Sequence, residues 1–167
     1  MGLRDFTRSV AVRLSAIYTA VITTIPATLT TIEADVDDKA VGRVQSTTYT
    51  NAALASDAGA TTTHTCTTQP VRLTRLNLEL LAAAHANLTS ITVAVVRGAT
   101  TIRTLINAVE GAAAVFSAGG LQADWEGSVV MTAGDLIKAT SSGTGAGTNS
   151  VKIYAECVAL ADGGYLA

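Results

Sequence analysis

The chain has 167 residues and a formal net charge of −2, with 49% hydrophobic but only 14% charged residues. This length suits one ordinary domain with some chain left over, and the composition is too apolar for a disordered protein. The acidic balance argues against a nucleic-acid partner, and the low charge predicts a surface covered by other protein, most simply by copies of the same chain.

The first segment, residues 1–38, is predicted to be a helical arm for anchoring or oligomerisation. Its apolar residues recur at steps of three and four, the spacing of one face of an amphipathic helix, until Pro26 interrupts it. The apolar run 14–25 is shorter than the roughly 20 residues that span a bilayer, so no membrane partner is expected. A helix of this length is marginal alone in water, so its apolar face should contact a partner. Seven positions form this face: Leu3, Phe6, Val10, Leu14, Ile17, Val21 and Ile25.

A β domain is predicted over residues 50–160, after a linker or first extended segment at 39–49 and before a C-terminal tail at 161–167. Within the domain the apolar pattern changes to period two, in short runs bounded by turn residues. The predicted strands are Ala60–Thr68, Val71–Leu81, Ser90–Val96, Thr101–Ala108, Ser128–Thr132, Leu136–Thr140 and Val151–Leu160. About seven short strands at this spacing are typical of an antiparallel β-sandwich or a jelly roll.

The connections between these strands carry turn residues. Arg97-Gly98 and Ala133-Gly134-Asp135 predict tight turns between neighbouring strands. The segment Ser141–Ser150 is rich in Gly, Ser and Thr, which predicts a mobile loop. The Ala-rich segment Leu80–Ala86 is compatible with a helical turn.

One strand contains a change of phase. The apolar residues Val71 and Leu73 are followed by Leu76, Leu78 and Leu80, so the alternation moves by one residue in the middle of the run. An extra residue in one strand of a pair produces this shift, which predicts a β-bulge near Thr74 and Arg75.

Catalytic and cofactor-binding motifs are absent from the sequence, including the phosphate-binding, nucleophile-elbow and dinucleotide-binding glycine patterns. His64 and Cys66 would share one face of a strand, but no third metal ligand follows, so we expect ordinary strand residues. Cys66 and Cys157 are expected to be two buried thiols, with a mutual disulfide as the alternative. We therefore predict a non-enzymatic protein without catalytic residue, cofactor or metal.

Trp125 is the single tryptophan and lies between Asp124 and Glu126. The favoured expectation is a half-buried side chain that closes one end of the sandwich. The alternative is a ligand contact for host-surface glycans, together with the loops at 98–100 and 141–150.

The second half of the chain resembles the β-sandwich proteins of tailed-bacteriophage virions, of the head decoration, cement, head-fibre or tail-associated type. Trp125 leads into the apolar run Val129-Val130-Met131, and Ala133-Gly134-Asp135 turns into Leu136-Ile137-Lys138-Ala139-Thr140. A Gly-rich loop then precedes Val151-Lys152-Ile153-Tyr154. The resemblance implies a structural virion component, usually trimeric, that is held by an N-terminal arm and contacts capsid, portal or tail proteins. A glycan-binding adhesin on the tail or neck is the alternative.

Overall fold

The computed structural model describes residues 41–167. The predicted arm and its seven candidate interface positions lie outside this range. The described residues form nine strands: β1 Val44–Ala55, β2 Ala60–Thr67, β3 Val71–Leu80, β4 Leu88–Arg97, β5 Thr100–Ile106, β6 Gln122–Met131, β7 Leu136–Gly143, β8 Thr148–Ala159 and β9 Tyr165–Leu166. One short 3-10 helix, Ala113–Phe116, lies between β5 and β6.

Four antiparallel strand pairs determine the topology: β1 with β8, β2 with β7, β3 with β6 and β4 with β5. Strands β1 to β4 form one arm of a long hairpin and strands β5 to β8 form the other, with the β4–β5 turn at its tip. This hairpin is rolled up into two sheets. Their orders are β1-β8-β3-β6 and β5-β4-β7-β2, and β9 adds to the second sheet beside β2. This arrangement is a jelly roll. The predicted mainly β, antiparallel sandwich or jelly-roll fold is confirmed.

The core lies between the two sheets and follows from the period-two pattern of the strands. In β8, Val151, Ile153 and Ala155 are fully buried, whereas the alternate residues Lys152 and Tyr154 are only partly buried. The facing sheet contributes further branched side chains from β4 and β7 to one continuous apolar cluster. These buried side chains form the apolar interior of the sandwich.

The predicted bulge in β3 is confirmed. Against β8, Leu73 is paired with Cys157 but Arg75 with Glu156, so Thr74 is an extra residue in β3. The bulge allows both Leu73 and Leu76 to face the core although they are three positions apart in the sequence.

The two ends of the sandwich differ in their connections. The β4–β5 and β6–β7 turns lie at one end, and both use a glycine with positive φ, Gly98 at 59° and Gly134 at 88°. The connections 56–59, 81–87, 107–121 and 144–147 lie at the other end. There Asn149, buried at the start of β8, links two of them, because its Oδ1 accepts the His85 N–H at 2.9 Å and its Nδ2 donates to Ser56 Oγ at 2.9 Å.

Residues 44–49, expected to be linker or a first extended segment, form the first half of β1, so the extended alternative is the correct one. Two other elements differ from the sequence prediction. Strand β6 begins at Gln122 and not at Ser128, and β9 forms within the predicted tail. In β1 and in the first half of β6, polar residues interrupt the alternation of apolar residues. The period-two pattern therefore did not predict these strands.

The segment 141–150 is not the predicted loop throughout, because only residues 144–147 connect β7 of one sheet to β8 of the other. Residues 141–143 extend β7, and residues 148–150 begin β8. A Cβ at Gly143 would collide with the carbonyl oxygen of Asn87 and lie 2.6 Å from that of Ser56. Its glycines therefore provide close packing, not flexibility. Residues 81–87 form bends and a turn, so the helical turn suggested for Leu80–Ala86 was also wrong.

Candidate functional site

The sequence-predicted ligand contact, Trp125, lies on β6 in the first sheet. It is paired with Leu76 of β3, is partly buried and packs against the apolar core cluster. Its ring also covers Gly127, where an added Cβ would lie 2.6 Å from Trp125 Cζ2. Most of the indole thus contributes to packing at the edge of the sandwich.

The glycan site expected from Trp125 and two loops is not assembled by the fold. Strand β4 runs antiparallel to β7, with Leu88 opposite Gly143 and Val96 opposite Leu136. The loops at 98–100 and 141–150 are therefore separated by the length of these strands, about 25 Å at the usual rise per residue. Trp125 lies on the other sheet, so the three parts cannot contact one small ligand.

A polar depression of about 320 Å³ lies on the outer face of the sheet β1-β8-β3-β6. All four strands contribute to it, because alternate residues of each strand point outward from the core. Its lining consists of Thr48, Arg75, Asn77, Glu79, Gln122, Lys152 and Tyr154.

The polar groups of this depression contact each other across neighbouring strands. Asn77 Nδ2 donates to Gln122 Oε1 at 2.8 Å and to Asp124 Oδ1 at 2.6 Å. Lys152 Nζ lies 3.9 Å from Glu79 Oε2. An aromatic ring among amide, ammonium and carboxylate groups suits a ligand with several hydroxyls. The alternation of Lys152 and Tyr154 in β8 was the sequence signal for this face, but the partner strands were not predictable.

A second cluster joins the margins of the two sheets at β1 and β2. Tyr49 Oη and Thr61 Oγ1 are 2.7 Å apart, and the rings of Tyr49 and His64 meet edge to face at a centroid distance of 6.4 Å. His64 is only 2% exposed, and Nδ1 lies 3.1 Å from Thr63 Oγ1. Within residues 41–167, His64 Nε2 is the one buried side-chain N or O atom without a hydrogen-bond partner.

The surroundings of His64 favour the neutral imidazole. Burial lowers the pKa of His64 to about 4, and the opposing effect of the nearby Thr47 backbone is smaller. A charged ring would be enclosed between two sheets without a carboxylate to pair with, so the fold holds His64 as a neutral core residue at neutral pH.

Cys66 and Cys157 are buried free thiols, which confirms the favoured expectation for the two cysteines. Burial raises the pKa of Cys157 to about 11, so this side chain is a thiol and not a thiolate at neutral pH. In the part of the chain that the structure describes, no three His, Cys, Asp or Glu side chains lie together in a metal-binding arrangement. No helix within residues 41–167 has the length and apolar character to cross a bilayer.

An ion pair lies at the end of the sandwich that contains the β4–β5 and β6–β7 turns. Arg97 Nε and Nη2 donate to the two carboxylate oxygens of Asp135, each at 2.7 Å, and the Thr132 N–H donates to the same carboxylate. The bidentate guanidinium lowers the pKa of Asp135 and outweighs the opposing effect of burial. This arrangement holds the β4–β5 and β6–β7 turns together and has the geometry of a structural clamp.

Four of the eight large apolar side chains exposed within residues 41–167 lie on the longer connections at the other end. Val109 is 82% exposed, and Leu81, Val115 and Leu121 are also exposed. Backbone hydrogen bonds hold these connections together, from Ala84 N–H to the Phe116 carbonyl and from Leu80 N–H to the Leu121 carbonyl. Apolar side chains grouped on a soluble surface are typical of protein contacts.

No family model and no curated protein matches the chain. Among solved structures it is similar to a chain of the cyanophage Pam1 capsid asymmetric unit, with 16% identity and a TM-score of 0.47 over 71% of this chain and 86% of that one. A chain of the acid-stable capsid of Helicobacter pylori bacteriophage KHP30 gives 10% identity and a TM-score of 0.47 over 75% of this chain and 98% of that one. The VP2 subviral particle of infectious bursal disease virus gives 14% identity and a TM-score of 0.36 over 73% of this chain and 34% of that one. Because these scores are below 0.5, the likenesses carry no conclusion about function.

Proposed function

We propose that this chain is a non-enzymatic structural component of a bacteriophage particle. It would be a homotrimeric capsid decoration, cement or fibre-base protein, anchored to other virion proteins by residues 1–38. The observation that carries this proposal is the eight-strand jelly roll with an interior filled by apolar side chains. Jelly rolls recur in viral capsid domains, lectins and cupins. An interior formed by apolar side chains suits the capsid and lectin types better than the cupin type.

Two properties of the surface favour the capsid type. The chain has only 14% charged residues, and the described surface exposes apolar side chains such as Val109 and Leu121. Both properties suit a protein that is covered by neighbours in an assembly. The apolar stripe of the arm, outside the described residues, supplies the anchoring surface in this proposal.

The arm is tested with the full chain and the double variant Ile17→Asp, Val21→Asp. Two buried carboxylates would prevent packing of the apolar stripe, so we expect the variant to lose threefold association and particle binding while its β domain stays folded. Thr19→Asp, on the predicted polar side, is the matched control. Light scattering measures the mass against the 17.0 kDa chain, and co-sedimentation measures particle binding. A full-length wild type that stays monomeric and stable alone would contradict the proposal.

The alternative function is a tail- or neck-associated adhesin that binds host-surface glycans. The polar depression around Tyr154 favours it, because an aromatic ring among hydrogen-bonding groups suits sugar hydroxyls. On a glycan array, Tyr154→Ala should abolish binding, whereas Thr140→Ala on the outer face of the other sheet should not. Loss of binding on Trp125→Ala alone would instead point to the β6 edge, and no binding by the wild type would refute the adhesin.

A further inference from the structure

The edge strands of the two sheets are protected to different degrees. Backbone N–H and C=O groups along a sheet edge are open to pairing with another chain, and proteins usually block them with charges, bulges or short strands. Strand β6 carries Asp124 and Glu126 and a register shift. Strand β5 carries Arg103 and two register shifts, and β9 is only 2 residues long.

Strand β1 has none of these protections in its first eight residues. It is 12 residues long, contains neither a charged residue nor Pro, and lies at the end of its sheet. Its register against β8 runs without interruption from Val44 to Asn51, so this stretch is regular. Val, Thr and Tyr have high strand propensity. Among the described residues no strand pairs with the outer edge of β1.

The chain that follows this edge strand is also poor in charge. Between Val44 and Val71 the only ionised residue is Asp57, which lies in the β1–β2 turn. The inward side of β1 is polar and only partly buried, as at Thr47 and Tyr49. An edge strand of an isolated sandwich would gain more by burying apolar residues there. Polar, uncharged, half-exposed side chains instead suit a position within a larger sheet.

We propose that β1 pairs antiparallel with β1 of a second copy of this chain across a twofold axis. A twofold axis makes such an interface self-complementary, and directly opposite residues point to the same face of the joined sheet. With the axis at Thr48, the two Thr48 side chains face each other on the outer side and Ser46 lies opposite Thr50. On the inner side, Gln45 lies opposite Asn51. Side-chain hydroxyls therefore lie opposite hydroxyls and side-chain amides opposite amides. No charged side chain lies between the two paired β1 strands.

This interface goes beyond the proposed virion role and does not require it. If the arm forms trimers, β1 pairing links trimers to each other, as a protein that reinforces a lattice requires. If the arm has another role, β1 pairing still produces dimers. The double arm variant with Ile17→Asp and Val21→Asp separates the two ideas, because it removes association through the arm and leaves the β1 edge intact.

Thr48→Lys tests the edge directly. Two ammonium groups would lie opposite each other at the twofold axis, and lysine is a residue that blocks sheet edges. We expect the mass of the arm variant, measured by light scattering over a range of concentrations, to fall by a factor of two on this further change. Thr101→Lys is the matched control, because it adds the same charge to an exposed position on edge strand β5. It should leave the mass unchanged.

A cross-link provides a second readout that does not depend on loss of association. Opposed side chains across an antiparallel seam are close enough for a disulfide, so Thr48→Cys should give a covalent dimer on a non-reducing gel. Thr101→Cys should not, and the native cysteines are buried. An unlinked Thr48→Cys protein and an unchanged mass for Thr48→Lys would overturn the proposal.

Discussion

Acidification below pH 6.5 should destabilise this fold because of His64. The ring lies in the core between β1 and β2, with Nε2 unpaired. In an unfolded chain the imidazole has a pKa of about 6.5, whereas burial lowers the pKa of folded His64 to about 4. Below pH 6.5 the unfolded state therefore binds a proton at this residue and the folded state does not, so the free energy of unfolding falls.

The size of this effect follows from the two pKa values. Each pH unit between them corresponds to about 1.4 kcal/mol, so the loss reaches about 3 kcal/mol when the pH has fallen from 6.5 to 4. Below pH 4 the folded ring is protonated as well, and the contribution of His64 levels off. A loss of this size is a large part of the 5–15 kcal/mol that usually stabilises a domain.

Urea denaturation of the full chain at several pH values measures this slope, with the fluorescence of the single Trp125 as the probe. His64→Leu removes the titrating group from the core and should flatten the curve between pH 6.5 and 4. His85→Gln is the matched control, because it removes the other histidine, and its slope is compared with that of His64→Leu. Equal slopes in the wild type and in His64→Leu would refute the reasoning.

Two further predictions concern the loop end of the sandwich. Gly143→Ala should cost about 1–3 kcal/mol, because the added methyl group meets two backbone carbonyl oxygens. Gly145→Ala, with its new Cβ 3.3 Å from an amide nitrogen, should stay within about 0.5 kcal/mol of the wild type, and equal melting curves for the two variants would restore the mobile-loop interpretation. Asn149→Ala should cost about 1–3 kcal/mol, because it leaves the His85 N–H and the Ser56 hydroxyl without a partner. Urea denaturation measures this cost, and an unchanged midpoint would show that Asn149 does not hold the loops together.

The strands that carry a regular apolar alternation were predictable from the sequence. Strand β8 has this pattern throughout, and the phase change after Leu73 located the bulge in β3. Strand β1 was not predictable in the same way, because its inward positions, such as Thr47, are polar and the period-two signal is weak.

The strand order and the polar depression depend on contacts between distant parts of the chain. Arg75 and Tyr154 belong to predicted strands, yet nothing in their spacing indicates that β3 and β8 are neighbours. The same holds for His64, whose burial depends on β1 in the opposite sheet. Local pattern determines which face of a strand is apolar, but pairing over long separations decides which polar residues meet.

The pairing of β1 with β8 has a consequence for how the chain folds. Val44 is paired with Val158, about 110 residues later, so β1 has no partner strand until almost the whole domain has been synthesised. Closing such distant contacts is slow, on the scale of milliseconds to seconds for β-sandwiches. During that interval both edges of β1 are open, and its charge-free sequence offers nothing to repel a neighbouring nascent chain. Synthesis at low temperature or with chaperones should therefore raise the yield of soluble protein.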